Sequence, residues 1–581
     1  MPSYAELWSR TAAGEVGGLE ARQVLPELLA ALPELQEEDA ASALGALACL
    51  APLVRDDASA CELQVASFLL QTSCPLTLSR AALCVETMSS ERPSREVFRR
   101  CGVVRVLVTA LTSDSSECVA AACAALTALS VDEDCQAEIA VEGGLERLVP
   151  LLSVKVSECL GHFALQESYR IRLRRLGAVP RLVKLLECQA IGPAAALLNL
   201  SVDEDSKAEV CKQGGLPRLK QLLANGTDQL RQVVAMIFGN LASQEECARM
   251  MTESSCDLAL LRCLTAGDLV AEKAAEALLQ MAAHPSCRAI LRQEERLRLL
   301  FAAFHGPAVV APCLRMVQLL AQEAPGRRAA GQALPWILAS LRDCCAEEAA
   351  AAAWNLSMEE TFASELCRQG GVSLLLDVAI SGSHAALGAL LQLAALEDGM
   401  TQLYKLGAVP KLTALLSHEL LDVAVASAQL LTCMALEAET CVQAWDGASS
   451  ALAAALGANL GRPLAAAEIC SCAWLLCSDQ GRGDAFVAAD GLRCLCAMLL
   501  EEEGLEPVMG TLAVLNRHKE AFLEMGGVEL LVPLLTANNL RHRHLAAKAL
   551  CAVLDEENAR KRRLEELGVY DEFKEILAQL G

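Results

Sequence analysis

A polar residue recurs at one position along the chain, fifteen residues before the first residue of a short glycine-containing block. An amide side chain at such a position offers both a hydrogen-bond donor and an acceptor. A row of these groups could therefore hold the N–H and C=O groups of a polypeptide segment lying across them. The candidate binding residues, called the ladder residues below, are His162, Asn199, Asn240, Gln280, Asn355 and Gln392.

The row is not uniform. The same position holds Ala128, Thr432 and Thr511 in other copies, and Val317, with Gln318 beside it, in one more. A polar group at this position could instead bond a neighbouring helix or water. The sequence leaves both roles open.

The glycine-containing blocks define an internal repeat. Successive copies begin roughly 34–43 residues apart, which is the range of helical solenoid repeats. The clearest copies are Gly143–Leu152, Gly177–Leu186, Gly214–Leu223, Gly407–Leu412 and Gly526–Leu535. Weaker or degenerate copies begin near Cys101, Ser255, Glu295, Gln332, Gly370, Gly447, Asp490 and Gly568.

Each repeat is predicted to contain three helices. A short first helix, such as Lys207–Cys211, stops at Gly214, because glycine enters the left-handed region at little cost. Pro217 suits the first turn of the second helix, where its missing N–H costs nothing. A third helix such as Gly192–Leu200 is rich in Ala, which favours close packing.

The composition supports an all-α stack. The 581 residues exceed one ordinary globular core, and hydrophobic residues form 54% of them although aromatics form only 3%. Ala and Leu dominate the apolar set, whereas a sheet protein would need more β-branched and aromatic residues. Since one repeat cannot bury its own apolar face, stacked neighbours must build a continuous core.

The repeat resembles that of the armadillo family. The run Ala195–Lys207, followed by Gly214–Leu219, is similar to the armadillo signature of plant U-box proteins and the yeast vacuolar armadillo protein, and Ala352–Ser357 is a second good copy. The resemblance covers residues 91–581, about a dozen repeats. Residues 1–90 are helical in pattern at Val24–Leu32, Ala40–Leu50 and Cys61–Leu70 but lack the glycines, and are predicted to be divergent repeats that cap the array.

The resemblance implies a right-handed α-α superhelix, an armadillo-type solenoid of three-helix repeats. It also implies that the ladder residues face a concave groove, where a repeated Asn binds the backbone of an extended peptide. Importin-α-like proteins place Trp four residues before that Asn. This chain has Ala195, Met236 and Ala351 there, which argues against binding nuclear signals in that manner.

Acidic residues recur four to six residues after the ladder position. They are Asp132–Asp134, Asp203–Asp205, Glu245–Glu246, Glu359–Glu360 and Glu397–Asp398. They could cap the first helices, form an acidic edge, or do both. With a net charge of −24, the chain is expected to bind proteins with basic segments and no nucleic acid.

The sequence offers little to support catalysis, metals or membranes. No Cys-x-x-Cys pair or His-Glu-x-x-His motif occurs, and the 27 cysteines stand in apolar helical patterns typical of small buried side chains. No phosphate loop or nucleophile elbow is present. We expect no enzyme, no metal and no cofactor. No apolar run approaches the ~20 residues of a membrane helix, so direct membrane insertion is not expected.

The expected location is cytoplasmic, with the nucleus as the alternative, because the N-terminus has no basic, apolar leader. The expected function is a non-catalytic scaffold or adaptor that binds an extended or helical partner segment in its concave groove. Two alternatives remain: a substrate-recognition subunit acting with a separate ubiquitin ligase, and a nuclear-transport-type cargo adaptor. The pattern specifies no oligomeric state.

Overall fold

The computed structural model describes residues 3–16, 18–50, 58–266, 269–436, 442–500, 504–537, 539–554 and 556–580. Within these residues the regular secondary structure is helical and no strand occurs. The chain divides into two compact units. Unit 1 comprises residues 1–291 and 305–309, and unit 2 comprises residues 292–304 and 310–581.

Unit 1 contains helices α1–α21. From α6 onward they follow in groups of three, as the repeat predicts, with α21 left over at the end. In chain order they are α1 (Tyr4–Ala12), α2 (Gly18–Ala31), α3 (Glu37–Leu50), α4 (Ala58–Gln71), α5 (Pro75–Met88), α6 (Arg92–Arg100), α7 (Val103–Ala110), α8 (Ser116–Leu129), α9 (Glu133–Val141), α10 (Gly144–Leu148), α11 (Val154–Phe163), α12 (Glu167–Arg175), α13 (Ala178–Leu185), α14 (Ile191–Leu200), α15 (Glu204–Lys212), α16 (Gly215–Asn225), α17 (Asp228–Ala242), α18 (Glu245–Glu253), α19 (Cys256–Cys263), α20 (Leu269–Ala283) and α21 (Pro285–Leu291).

Unit 2 contains helices α22–α42. The groups of three continue, and among the described residues the short 3₁₀ turn Val442–Trp445 stands directly before α33. In chain order they are α22 (Glu294–Ala302), α23 (Val310–Leu320), α24 (Ala324–Ala330), α25 (Leu334–Ser340), α26 (Ala346–Ser357), α27 (Glu360–Arg368), α28 (Gly371–Ile380), α29 (His384–Ala394), α30 (Glu397–Lys405), α31 (Ala408–Leu415), α32 (Leu421–Ala435), α33 (Ala448–Ala458), α34 (Pro463–Leu476), α35 (Gln480–Ala488), α36 (Gly491–Met498), α37 (Leu505–Val514), α38 (Lys519–Glu524), α39 (Gly527–Leu535), α40 (Leu540–Val553), α41 (Glu557–Glu566) and α42 (Tyr570–Leu580).

Helices α2, α3 and α4 overlap the three stretches of residues 1–90 with helical patterns. Residues 51–57 of that segment lie outside the described residues. The division of the chain into a 1–90 cap and a 91–581 array stays a prediction.

The two glycines between the first and second helices of a repeat have different structural roles. Gly214 has φ +74°, in the left-handed region that side chains other than glycine seldom enter. Gly215 has ordinary backbone angles, but a Cβ placed on it would lie 2.6 Å from the carbonyl oxygen of Val210. The first glycine therefore turns the chain, and the second lets α16 approach the end of α15.

Two degenerate copies keep the turn without glycine. Ser255 and Asp490 stand before α19 and α36 with φ +56° and +64°. The copies expected near Glu295 and Gln332 do not have this turn: α22 begins at Glu294 after an extended Gln293, and Ala333 before α25 is right-handed. The second helix of these two copies therefore begins without the left-handed turn.

The third helices form one continuous layer in each unit. In unit 1, α3, α5, α8, α11, α14, α17 and α20 pack in succession. In unit 2, α23, α26, α29, α32, α34, α37 and α40 do the same. Small residues permit this approach: a Cβ on Gly161 of α11 would lie 3.6 Å from the Cα of Ala196 in α14. The ladder residues of each unit stand near the carboxyl ends of these helices.

A recurring arginine ties each of several first helices to the third helix before it. Nη1 of Arg170, in α12, donates to the carbonyl oxygens of Ala164 and Leu165 after α11, at 3.2 and 3.0 Å. These carbonyls would otherwise lack a partner at the helix end. Arginines that bond in the same way, six and five residues after the two carbonyls, are Arg95, Arg288 and Arg327.

Most arginines of the basic segment Arg170–Arg175 form hydrogen bonds or ion pairs within the chain. Arg172 forms an ion pair with Glu146, and Arg174 pairs with Asp203 and Asp205. Arg172 and Arg174 are thus paired with carboxylates of this chain.

Candidate protein-binding groove

Three ladder asparagines donate to the backbone of the preceding repeat. Nδ2 of Asn199, in α14, donates to the Gly161 carbonyl at 2.9 Å. Nδ2 of Asn240, in α17, donates to the Leu198 carbonyl at 3.2 Å and to Ser201 Oγ at 2.9 Å.

In unit 2, Nδ2 of Asn355 donates to the Gln318 carbonyl at 2.9 Å. All three asparagines are half-buried. Part of each amide therefore serves the stack itself, which is one of the two roles that the sequence left open. The amide oxygen of each of these side chains is a hydrogen-bond acceptor. The bond at Nδ2 holds the amide group in one orientation.

His162 occupies the ladder position of α11. Its Nδ1 lies 2.8 Å from Ser130 Oγ, at the end of α8. Burial lowers the pKa of His162 below its usual value, with a smaller opposing effect from Glu158. The ring is therefore held in its neutral form, as a hydrogen-bonding group and not as a cation.

The two ladder glutamines are exposed. Gln280 lies in α20 of unit 1 and Gln392 in α29 of unit 2. Within the described part of the chain, neither side chain forms a hydrogen bond with another residue. Both amides therefore keep their donors and acceptors for solvent or a ligand.

Three successive ladder residues of unit 1 line one open depression. Asn199, Asn240 and Gln280 meet there, in a space of about 480 Å³ between α14, α17 and α20. We call this depression the ladder groove. Its walls also carry apolar and charged side chains: Val202, Met236, Lys273 and Glu276 are among them. The groove thus combines amide groups with apolar side chains and a Lys273–Glu276 ion pair at 2.8 Å.

The row is interrupted in unit 2. Thr511, at the ladder position of α37, is buried and donates to the Cys470 carbonyl at 3.1 Å and to the Pro507 carbonyl at 2.7 Å. Thr432 donates to Ala428 within its own helix. The protons of both hydroxyls are therefore used within the chain.

Two of the five acidic segments supply a capping side chain, whereas Glu359, at the N-cap of α27, forms no capping hydrogen bond. Asp132 accepts from the N–H groups of Asp134 and Cys135 at the start of α9, and Asp203 accepts from Ser206 at the start of α15. Exposed carboxylates stand beside these caps. Among the described residues, Glu133, Asp134 and Glu167 form no ion pair, so their charge stays directed to solvent.

An apolar feature at the same helix ends was missed by the sequence reasoning. Val131, Leu165 and Val202 follow α8, α11 and α14, each three residues after the ladder position. They are 56%, 66% and 55% exposed. Their common offset from the ladder position was the available signal. We call these three side chains the apolar row.

The thiols belong to the core and not to a site. All 25 described cysteines are free and 17 are buried. Burial raises the pKa of Cys159 to about 12, and no cluster suited to a metal ion occurs among the described residues. The prediction of small buried side chains is confirmed for most of them. Of the described helices, none is long and apolar enough to cross a membrane.

Comparison with known proteins agrees with this architecture. The family model for the armadillo/beta-catenin-like repeat matches residues 91–131, which contain α6, α7 and α8. No curated protein sequence matches the chain.

Among solved structures, one similar chain comes from a study of the phosphorylation switch in the interaction between cadherin and beta-catenin. It is 15% identical with a TM-score of 0.56, over 85% of this chain and 99% of that one. A designed armadillo repeat protein is 20% identical with a TM-score of 0.36, over 38% and 98%. The chain therefore carries an armadillo repeat at residues 91–131 and has the all-α solenoid fold of the armadillo-repeat proteins.

Proposed function

We propose that the chain is a non-catalytic scaffold or adaptor that binds a segment of a partner protein along the layer of third helices in unit 1. The observation that carries the proposal is the ladder groove, where Asn199, Asn240 and Gln280 from three successive repeats converge on one open space. Converging polar groups over an apolar floor are typical of sites that bind a ligand.

The fold supports a binding role. Armadillo folds are generally scaffolds, and the similar solved chain comes from work on the interaction between cadherin and beta-catenin. We extend that to the present chain as part of the proposal, together with the absence of an enzymatic activity.

The charge distribution favours a basic partner. Glu133, Asp134 and Glu167 are exposed and follow the carboxyl ends of α8 and α11. The whole chain carries a net charge of −24. A partner with Lys or Arg would be attracted over about a Debye length, ~8 Å at physiological salt, whereas nucleic acid would be repelled.

The test is affinity capture with the full-length tagged chain at mild salt, followed by identification of the captured proteins. The ladder variant carries Asn199→Ala, Asn240→Ala and Gln280→Ala. A matched control carries Lys212→Ala and Gln213→Ala, two exposed residues at the end of α15 outside the groove. Thermal melting of both variants separates lost binding from lost folding.

We expect the ladder variant to lose partners that the control retains while still melting cooperatively. If every partner stays bound to a folded ladder variant, the groove is not the binding surface. A ubiquitin ligase or a transport factor among the partners that are lost would favour the corresponding alternative adaptor role. We also propose a cytoplasmic location, with the nucleus as the alternative, which imaging of the tagged chain tests.

A further inference from the structure

We propose that the apolar row binds an amphipathic α-helix of a partner, with apolar side chains recurring every seven residues and lysines or arginines along one flank. The proposal rests on the function proposed above and names the class of partner. It concerns Val131, Leu165 and Val202, which follow the ladder residues along the chain; Val202 also lines the ladder groove.

The exposure of the apolar row is the first argument. Each residue stands in the turn that follows a third helix, and the residue immediately before it is buried: Ser130, Ala164 and Ser201. Single exposed apolar side chains are ordinary on a protein surface. Three at the same place in three successive repeats form a regular pattern, which is typical of an interaction surface.

The spacing of the row selects a helical partner. Helices packed side by side lie about 8–10 Å apart, so neighbouring members of the row should be separated by about that distance. Seven residues of an α-helix advance ~10.5 Å and return to nearly the same face. Every third residue of a β-strand advances a similar distance but alternates between its two faces.

A polyproline II segment also repeats at about the right distance, since three residues advance ~9.3 Å. Its backbone groups, however, have no internal hydrogen bonds, so those turned toward the surface need partners there in place of water. The Nδ2 groups of Asn199 and Asn240 already donate to Gly161 and Leu198, so these side chains offer a segment mainly their carbonyl oxygens. An α-helix bonds its own backbone and requires only an apolar face to receive it.

The charges beside the row select a basic flank. Glu133 and Asp134 lie next to Val131, and Glu167 lies two residues after Leu165. They are exposed and, among the described residues, in no ion pair. Near Val202 the carboxylates are already neutralised, because Asp203 and Asp205 pair with Arg174 and Glu204 pairs with Lys207. The carboxylates that form no ion pair thus lie beside the first two members of the row.

The experiment uses a defined probe, a fluorescent 21-residue helix-forming peptide with leucines at three positions seven apart and lysines on one adjacent flank. Anisotropy measures its binding to the full-length chain. We expect a tenfold or greater loss of affinity with Val131→Gln and Leu165→Gln combined. Val141→Gln serves as the control, because Val141 is 83% exposed at the end of α9 and lies outside the row.

Two further peptides sharpen the result. One has the same composition with its leucines spread around the helix, and the other is a proline-rich peptide with leucine at every third residue and the same number of lysines. Both should bind at least tenfold more weakly than the heptad peptide. Equal or tighter binding of either one, or unchanged affinity of the Val131/Leu165 variant, would overturn the proposal.

The outcomes also distinguish this inference from the proposed function. If partners captured from extract are lost by the ladder variant but retained by the Val131/Leu165 variant, the groove stands and the helical partner is wrong. If both variants retain every partner and the heptad peptide does not bind, both proposals are wrong.

Discussion

The indole of Trp354 lies directly over the backbone of Gly388. A Cβ placed on Gly388 would sit 2.5 Å from Cε2 of the indole, well inside van der Waals contact. Trp354 belongs to α26 and Gly388 to α29, two successive third helices. The same pairing occurs between Trp474 and Gly510, in α34 and α37, at 2.5 Å. A glycine in one third helix thus makes room for the largest side chain of the preceding one.

Replacing Gly388 with Ala should therefore destabilise unit 2. The added methyl would force the indole or α29 to move, and overpacking of this kind costs about 1–3 kcal/mol. Gly239→Ala is the matched control, since its Cβ would meet nothing closer than the Cα of Ala277 at 4.0 Å. Alanine favours a helix over glycine by about 1 kcal/mol, so that variant should be as stable as the parent or more so. Denaturant unfolding of the two variants measures the difference, and equal stabilities would contradict the packing argument.

Asn240→Ala should lower stability even without a partner. The change removes hydrogen bonds to Leu198 and Ser201 that join α17 to the end of α14. A net loss of about 0.5–1.5 kcal/mol is expected for such bonds. Gln280→Ala, in the same groove, removes an exposed amide and should change stability by less than about 0.5 kcal/mol. Thermal melts of the two single variants make the comparison, and a Gln280→Ala effect as large as that of Asn240→Ala would count against it.

His162 should make stability dependent on pH below neutrality. Its pKa is lower in the folded chain than the usual value of 6.5, so the unfolded chain binds more protons in the interval between the two. The contribution of the neutral ring is fully present above pH 6.5 and is lost as the pH falls toward the folded-state pKa. His162→Gln keeps a hydrogen-bonding side chain but does not titrate.

Unfolding measured at pH 7.5 and pH 5 should show a smaller loss of stability for His162→Gln than for the parent chain. His305→Gln is a suitable control, because that histidine is exposed. Identical pH dependence of His162→Gln and the parent would argue that the ring is not held neutral.

The native chain should react slowly with thiol reagents at most positions. Cys188 and Cys344 are the exposed thiols among those described, whereas Cys159 is buried with its pKa raised to about 12 by that burial. Because the thiolate is the reactive form, the exposed pair should be alkylated first at pH 7.5. Peptide mass spectrometry after brief iodoacetamide treatment identifies the sites. Rapid labelling of Cys159 before unfolding would contradict the core assignment.

The sequence was sufficient for the repeat and its helices, because glycines such as Gly214, in some copies followed by a proline such as Pro217, mark where a second helix begins. It was insufficient where another residue takes over a backbone conformation. Ser255 and Asp490 adopt the left-handed turn, but Gln293 does not.

The ladder residues could be found by spacing, but their contacts could not. The sequence places Asn199 and Thr511 at equivalent positions, yet one amide is half-buried at the surface and the other group is fully buried. Which atom each bonds is fixed by the preceding helix, nearly forty residues away in the case of Asn199 and Gly161. The role of the ladder residues in binding stays a prediction.

The arginines that bond the carbonyls of a preceding helix end also define where the chain could be divided. Since Arg170 in α12 completes the end of α11, a fragment that stops at Leu165 would leave two carbonyls unbonded. A fragment that continues through Arg175 would keep them satisfied. The independent building block is therefore offset by one helix from the repeat that the glycines mark, running from a second helix to the first helix of the next repeat. Hydrogen exchange should follow that offset, with α11 and α12 opening together as one cooperative segment.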